Sequence, residues 1–291
     1  MFFLLFTFFL IASAFLANKF ITLFLSPDVF VVLRMGISGL LLLLLNCREK
    51  SIWKAARENF SLLFIIAIFT TTFPSLLRAY ALKMIPASRA SFWGALEPFI
   101  SIFYMRLLYG TEINRNQIIG IILGCLASLY FVFSQTNKNI FLMSLFCLAD
   151  LAQIGSLVIS RFGWIKGQEL MKKEIFKPQQ LNAFCFLISA SISLCFVFLR
   201  GGSFENLPYL FSLKKFSFSF LYTVIVGNMI AYTLYAYVLK HTTIASVSVV
   251  GLSIPLFVHF LSFFFLSEPL SIYFFISVFF LAIALFIFQK K

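Results

Sequence analysis

Two carboxylates stand where water is scarce. Glu97 lies at the middle of an apolar run over 87–109, and Asp150 falls ten residues into another over 140–161, with Gln153 one turn on. A charge at the bilayer centre costs roughly 2.5–3.5 kcal/mol on insertion scales, so each acid needs a partner or a use. The chemistry such groups offer is recognition rather than bond-making: Glu97, joined by Asp150, would neutralise a cationic or zwitterionic ligand. The competing expectation is a buried pair of Glu97 with Arg34 or Arg78, which stand nearer the ends of their own runs. Phe92, Trp93 and Tyr80, with Tyr235 and Tyr237 opposite, offer faces on which a flat or cationic ligand stacks. Thr71, within Thr70 to Thr72, and Asn228 add a hydroxyl and an amide that either touch substrate or bond neighbouring helices. His259, alone at depth, reads as a satisfied core histidine more readily than as a proton acceptor.

Beside these groups the backbone itself is interrupted. A proline has no N–H and its ring displaces the carbonyl four residues back. Pro98 thereby frees the carbonyl of Gly94, Pro255 that of Gly251, and Pro74 that of Thr70. These breaks recur because the halves of the chain match. Ala79-Tyr80-Ala81-Leu82-Lys83 returns as Ala236-Tyr237-Val238-Leu239-Lys240, four identities in five at an offset of 157. At that offset Gly94 maps to Gly251 and Pro98 to Pro255, while Glu112 maps one residue out of register to Glu268. Interrupted apolar segments at matching positions of two repeats point to the binding site of a secondary transporter. Gly94 and Gly251 are expected to present bare acceptors to a cavity near mid-membrane, with Pro98, Pro255 and Pro74 as hinges. Glu97 has no acidic counterpart, since Ile254 takes its place, and that favours a ligand group over a folding device.

The elements that position these residues follow from composition. The chain is 62% hydrophobic and only 11% charged, with a mean hydropathy of +1.01, too apolar for a soluble domain of 291 residues. Ten apolar runs approach or reach the 20 or so residues that span a bilayer: roughly 2–24, 28–46, 60–82, 87–109, 115–134, 140–161, 180–199, 216–239, 243–266 and 270–288. Runs such as Leu40 to Leu45 do not alternate, so helices rather than barrel strands cross the membrane. The fold class is therefore all-α integral membrane, ten transmembrane helices in two five-helix halves. An odd number per half inverts the second relative to the first. With both termini cytoplasmic, twelve Lys and Arg fall in inner loops against six in outer ones, which favours that orientation. The net charge of +13 is thus a matter of topology, and phosphate-backbone binding has no support beyond it. Ala12-Ser13-Ala14 resembles a cleavage site, but no basic residue precedes it and apolar character continues to Leu25, so a retained first helix is expected. The five cysteines include no C-x-x-C pair and read as small apolar residues. Glu112 and Glu268 are expected to offset helix dipoles, and Gly120 with Gly124 to permit close helix packing.

Ten helices in two inverted fives, Arg34 early in the second, and the prolines of the fourth and ninth resemble the drug/metabolite transporter superfamily. Glu112 and Glu268 just after those helices resemble its EamA branch. The resemblance covers nearly the whole chain, with 1–135 as a first five-helix repeat and 136–291 as a second. It implies a carrier of small polar metabolites working by alternating access. The departures are Glu97 before Pro98, where most members are uncharged, and the abundance of phenylalanine (42 residues). The expected partners are a small-molecule substrate and the lipid bilayer, in a bacterial inner membrane, with a homodimer left open, no nucleic acid, and no cofactor or metal.

Other classes fit less well. An intramembrane aspartyl protease needs two deep aspartates, and Asp28 begins its run at the interface. Gly36-Ile37-Ser38-Gly39 lacks the G-x-S-x-G spacing, two isolated histidines cannot hold zinc, and no phosphate-binding loop motif occurs. A deep acid beside aromatics favours a ligand with positive charge and a flat ring. S-adenosylmethionine, taken up and exchanged against S-adenosylhomocysteine, is the first expectation, and export of amino acids or other metabolites the second.

Overall fold

A computed structural model describes residues 2–46, 51–112, 114–134, 147–265 and 272–289. Among them ten long helical stretches run in chain order, and no strand occurs. They are α1 (Phe2–Thr22), α2 (Pro27–Asn46), α3 (60–84), α4 (87–109), α5 (Arg115–Ser134), α6 (Leu148–Lys172), α7 (Pro178–Leu199), α8 (214–241), α9 (244–265) and α10 (Ile272–Gln289). Six of these, α1, α2, α3, α7, α8 and α9, are long and apolar enough to cross a membrane by length and composition. Short helices over Ser51–Glu58 and Leu207–Ser212 fill two connections. Local chemistry sets several ends. Pro27 and Pro178 each open a helix, where the missing N–H is no loss. Gly110, left-handed at φ 63°, ends α4 by donating its N–H to the Arg106 carbonyl.

The sixth helix differs from its expected bounds. Hydropathy ends that run at Arg161, yet α6 continues to Lys172. Trp164, Ile165, Leu170 and Met171 are buried against α3, α7 and α8, and that packing carries the helix through its charged residues. Asp150 consequently lies in the first turn of α6 rather than ten residues in, and Arg161 occupies the middle. Lys166 and Lys172, counted as loop residues, belong to the helix.

The arrangement is a ring within a frame. Helices α1, α3, α4, α6, α8 and α9 surround a central cavity. Helices α2 with α7, and α5 with α10, pack extensively on each other outside that ring. A Cβ on Gly120 would come within 2.7 Å of the Ala284 carbonyl, so the expected close packing of α5 is against α10.

The repeat extends to details of packing. In the first half the Lys19 ammonium of α1 donates to the Leu82 and Ile85 carbonyls at the end of α3, at 2.6 and 3.0 Å. In the second, the Gln168 amide of α6 donates to the Leu239 and Thr242 carbonyls at the end of α8, the latter at 2.8 Å. These acceptors correspond at the offset of 157, which aligns Lys19 with Gln168 at an offset of 149. The close approaches agree: a Cβ on Gly163 would meet the backbone of Phe69 and Thr70, and one on Gly227 would lie 3.0 Å from the Ala14 Cβ. Helices α1 and α6, α3 and α8, α4 and α9 are therefore structural equivalents.

Candidate functional site

Both proline breaks open onto the central cavity, but their carbonyls are not bare. In α4 the chain tightens into a 3-10 turn over Trp93–Leu96, and the Glu97 amide bonds the Gly94 carbonyl. In α9 a turn at residues 251 and 252 does the same, with the Ile254 amide 2.9 Å from the Gly251 carbonyl. Each amide immediately precedes its proline. The acceptor that loses its partner four residues on finds one three residues on, as 3-10 geometry permits. Gly94 and Gly251 nevertheless line the cavity, and a Cβ on Gly94 would meet nothing within 4 Å.

A second pair of irregularities flanks the first. Helix α3 widens into a π-turn at Ile68–Thr72 just before Pro74, and α8 into a longer one at Thr223–Tyr232. The first maps at the offset of 157 onto 225–229, inside the second. Such bulges concentrate at functional sites, and here they turn Thr70 and Tyr232 toward the cavity. Pro74 is buried, and its carbonyl accepts a hydrogen bond from the Ser156 hydroxyl of α6 at 2.9 Å.

At the centre stands an ion pair that hydropathy hides. The Arg161 Nη2 donates to the Glu97 Oε2 at 2.6 Å, with side-chain exposures of only 5% and 12%. The Arg161 Nη1 donates to the Ser248 hydroxyl at 3.1 Å, and Ser248 shares a 2.6 Å hydrogen bond with Ser101. The guanidinium also lies 5.9 Å from the centre of the Tyr235 ring. The partner of Glu97 is thus Arg161, not Arg34 or Arg78. Each member of the pair offers the other a counter-charge where water is scarce.

The cavity around this pair measures about 80 Å³. Arg78, Ser91, Gln153, Ser160 and Tyr232 give it polar walls, and Phe8, Ile11, Phe15, Leu157, Trp164 and Ile254 apolar ones. Arg78 has no ion-pair partner among the described residues, and its buried Nε has no hydrogen-bond partner. Arg34 sits behind the wall, over the Phe30 ring at 5.0 Å, with Ser75 at 3.4 Å. The cavity wall therefore holds two guanidiniums and one carboxylate.

Other residues singled out in the sequence are placed elsewhere. Asp150, fully buried, accepts from Arg89 Nε at 3.0 Å and Nη2 at 2.8 Å, from Trp93 Nε1 at 2.8 Å, and from the amide and thiol of Cys147. With five donors on two oxygens it ties the start of α6 to the start of α4, and it takes Trp93 with it. The opposite ends of those helices are tied by a Tyr109 to Glu169 hydrogen bond, with Lys166 on the same carboxylate at 3.0 Å. Thr71 bonds the Ala67 and Cys185 carbonyls between α3 and α7, while its neighbour Thr70 reaches the cavity wall. Asn228 donates to the Ser38 hydroxyl at 3.1 Å, joining α8 to α2. Tyr80 borders a separate recess with Asp28 and Arg200, Phe92 packs on Phe274, and Tyr237 faces outward. His259 is buried with its ring against Phe274. Glu112 is exposed ahead of α5, and Glu268 lies outside the described residues.

Arg161, Tyr232, Trp164 and Ser248 were missed by sequence reasoning. A signal existed for the first: Phe162-Gly163-Trp164-Ile165 resumes the apolar pattern immediately after the arginine.

The EamA-like transporter family matches residues 1–133 and 148–289. The chain belongs to that family and is a multi-pass membrane protein of the drug/metabolite transporter superfamily. A solved crystal structure superposes with a TM-score of 0.71 over 98% of this chain and 95% of the other, at 14% identity, a likeness of fold alone. No curated protein matches this chain.

Proposed function

We propose that this chain is a secondary transporter for a small metabolite carrying an α-amino-acid group, moved by alternating access through the central cavity. The observation that carries this reading is the charge pattern of the wall: Glu97 with Arg161, and Arg78 without an acidic partner. A substrate carboxylate held between Arg78 and Arg161 gives the unmatched guanidinium its counter-ion, and the substrate ammonium takes Glu97. A ligand bearing only positive charge leaves Arg78 as it is. Free amino acids and S-adenosylmethionine share the required group, and the aromatic wall of Trp164, Tyr232 and Tyr235 favours a ligand that adds a flat ring.

The cavity is small for either. Metabolite pockets usually measure about 300–1,000 Å³, and about 80 Å³ holds a few waters. Binding therefore requires the ring helices to part, as alternating access demands. The excess of basic residues in alternate loops supports both termini in the cytoplasm of a bacterial inner membrane.

Uptake of labelled S-adenosylmethionine and of labelled amino acids into proteoliposomes tests the reading. Saturable uptake of one class, with half-saturation raised at least about tenfold in Arg78→Gln protein that still folds, is the expected result. Uptake of neither class, or uptake indifferent to Arg78, refutes it.

A further inference from the structure

The ion pair belongs to one half only. At the offset of 149 Arg161 corresponds to Ala12, and at 157 Glu97 corresponds to Ile254. Ala12 is buried in the apolar cluster that joins α1 to α9, and Ile254 packs against that cluster. The two seams are equivalents, yet α4 meets α6 through charge where α9 meets α1 through hydrocarbon. The fold thus makes this helix contact without an ion pair, so packing does not account for the charges. Both are present in one seam and both absent from the other, as a unit.

We infer that Glu97 and Arg161 stand in for the substrate when the carrier is empty. The inference rests on the proposed amino-acid-type substrate and adds to it the behaviour of the unloaded state. With substrate bound, its carboxylate lies on the arginines and its ammonium on Glu97. With the cavity empty, Arg161 closes on Glu97 at 2.6 Å and the two satisfy each other. The empty carrier then changes conformation with its central pair neutralised, and net transport proceeds without a countersubstrate. Arg78, less buried than Arg161, stands outside this exchange of partners in the empty state.

Arg161→Gln separates the two halves of the cycle. The empty cavity of this variant leaves Glu97 without its ion-pair partner, whereas the loaded cavity sets the substrate ammonium on Glu97 and the substrate carboxylate on Arg78. Removing one partner of a buried pair shifts an equilibrium by roughly a hundredfold or more, and the shift falls on the empty state. The measurement is the ratio of net uptake into substrate-free proteoliposomes to exchange into preloaded ones, at saturating labelled substrate. S-adenosylmethionine is the probe, with methionine as the second. The ratio in Arg161→Gln is expected to fall roughly a hundredfold below wild type. A ratio unchanged or raised overturns the inference, because a tie needed equally in both states lowers both fluxes together.

The double variant Glu97→Ile with Arg161→Ala copies the other seam and leaves neither member of the pair without its partner. Its ratio is expected to return to within a fewfold of wild type, whatever its affinity. A double variant as defective in ratio as the single one overturns the inference as well. Wild-type protein that moves neither probe removes the proposed substrate class on which the inference depends, a failure distinct from an altered ratio.

Discussion

Gly163→Ala is the sharpest test of the helix contact beside the ion pair. The Cβ it adds would lie 2.6 Å from the Phe69 carbonyl carbon and 2.7 Å from both the Thr70 amide nitrogen and its Cγ2. Ordinary contact begins near 3.4 Å, so α6 and the π-turn of α3 must separate by 0.8 Å, the difference of the two distances. Two of the three opposing atoms are backbone, so no side chain can rotate away. Overpacking of this kind costs about 1–3 kcal/mol, and rigid backbone on both sides places it toward the upper end. Alanine recovers about 0.8–1.0 kcal/mol in helix propensity, leaving a net loss of about 1–2 kcal/mol. At about 2–4 °C per kcal/mol, the melting temperature of the purified protein falls by about 2–8 °C. Arg161 stands two residues away, so the same displacement loosens its bond to Glu97. Melting of the wild type and variant in one detergent, followed by intrinsic tryptophan fluorescence, supplies the assay. A Gly163→Ala protein that melts at or above the wild-type temperature refutes the close approach of α6 to α3.

Three further outcomes follow from the same geometry. Gly94→Ala adds its methyl to open cavity space, so its melting temperature stays within a degree or two of wild type while transport falls, measured by uptake on equal protein. Arg78→Gln removes a charged hydrogen-bond donor from the ligand, worth about 1.5–3 kcal/mol. Its half-saturation rises roughly 10- to 150-fold without loss of stability, as concentration-dependent uptake will show. Asp150→Asn breaks the pairing with Arg89 and lowers stability by about 2–3 kcal/mol. It therefore reduces the protein held in the membrane, read by quantitative immunoblot, while half-saturation changes less than threefold.

Much of this fold was legible because the bilayer demands long apolar segments, and nine of the ten expected runs fall on helices with ends shifted by a few residues. The breaks were legible too, since a proline four residues after a glycine has local consequences wherever it sits. Glu97 stood out for its depth. What remained hidden depended on tertiary partners. Hydropathy stops a helix at an arginine, whereas α6 continues because Glu97 neutralises Arg161 and the next apolar residues are buried. That error moved Asp150 to mid-membrane and removed the true partner of Glu97 from view. The glycine carbonyls were expected to be bare because the proline rule concerns the lost bond and not the 3-10 bond that replaces it. Thr71 and Thr70 differ in sequence by nothing that distinguishes them, and only the π-turn decides which faces the cavity.

The central claim is that a substrate carboxylate is what the two guanidiniums of the cavity receive. Competition by a carboxyl-blocked analogue tests it most directly. Uptake of the labelled substrate is measured against unlabelled substrate and against its carboxamide, which keeps the amine and side chain but carries no negative charge. The account predicts that the carboxamide competes at least tenfold more weakly than the parent compound, and that Arg78→Gln narrows the difference. A carboxamide that competes as well as the parent contradicts it.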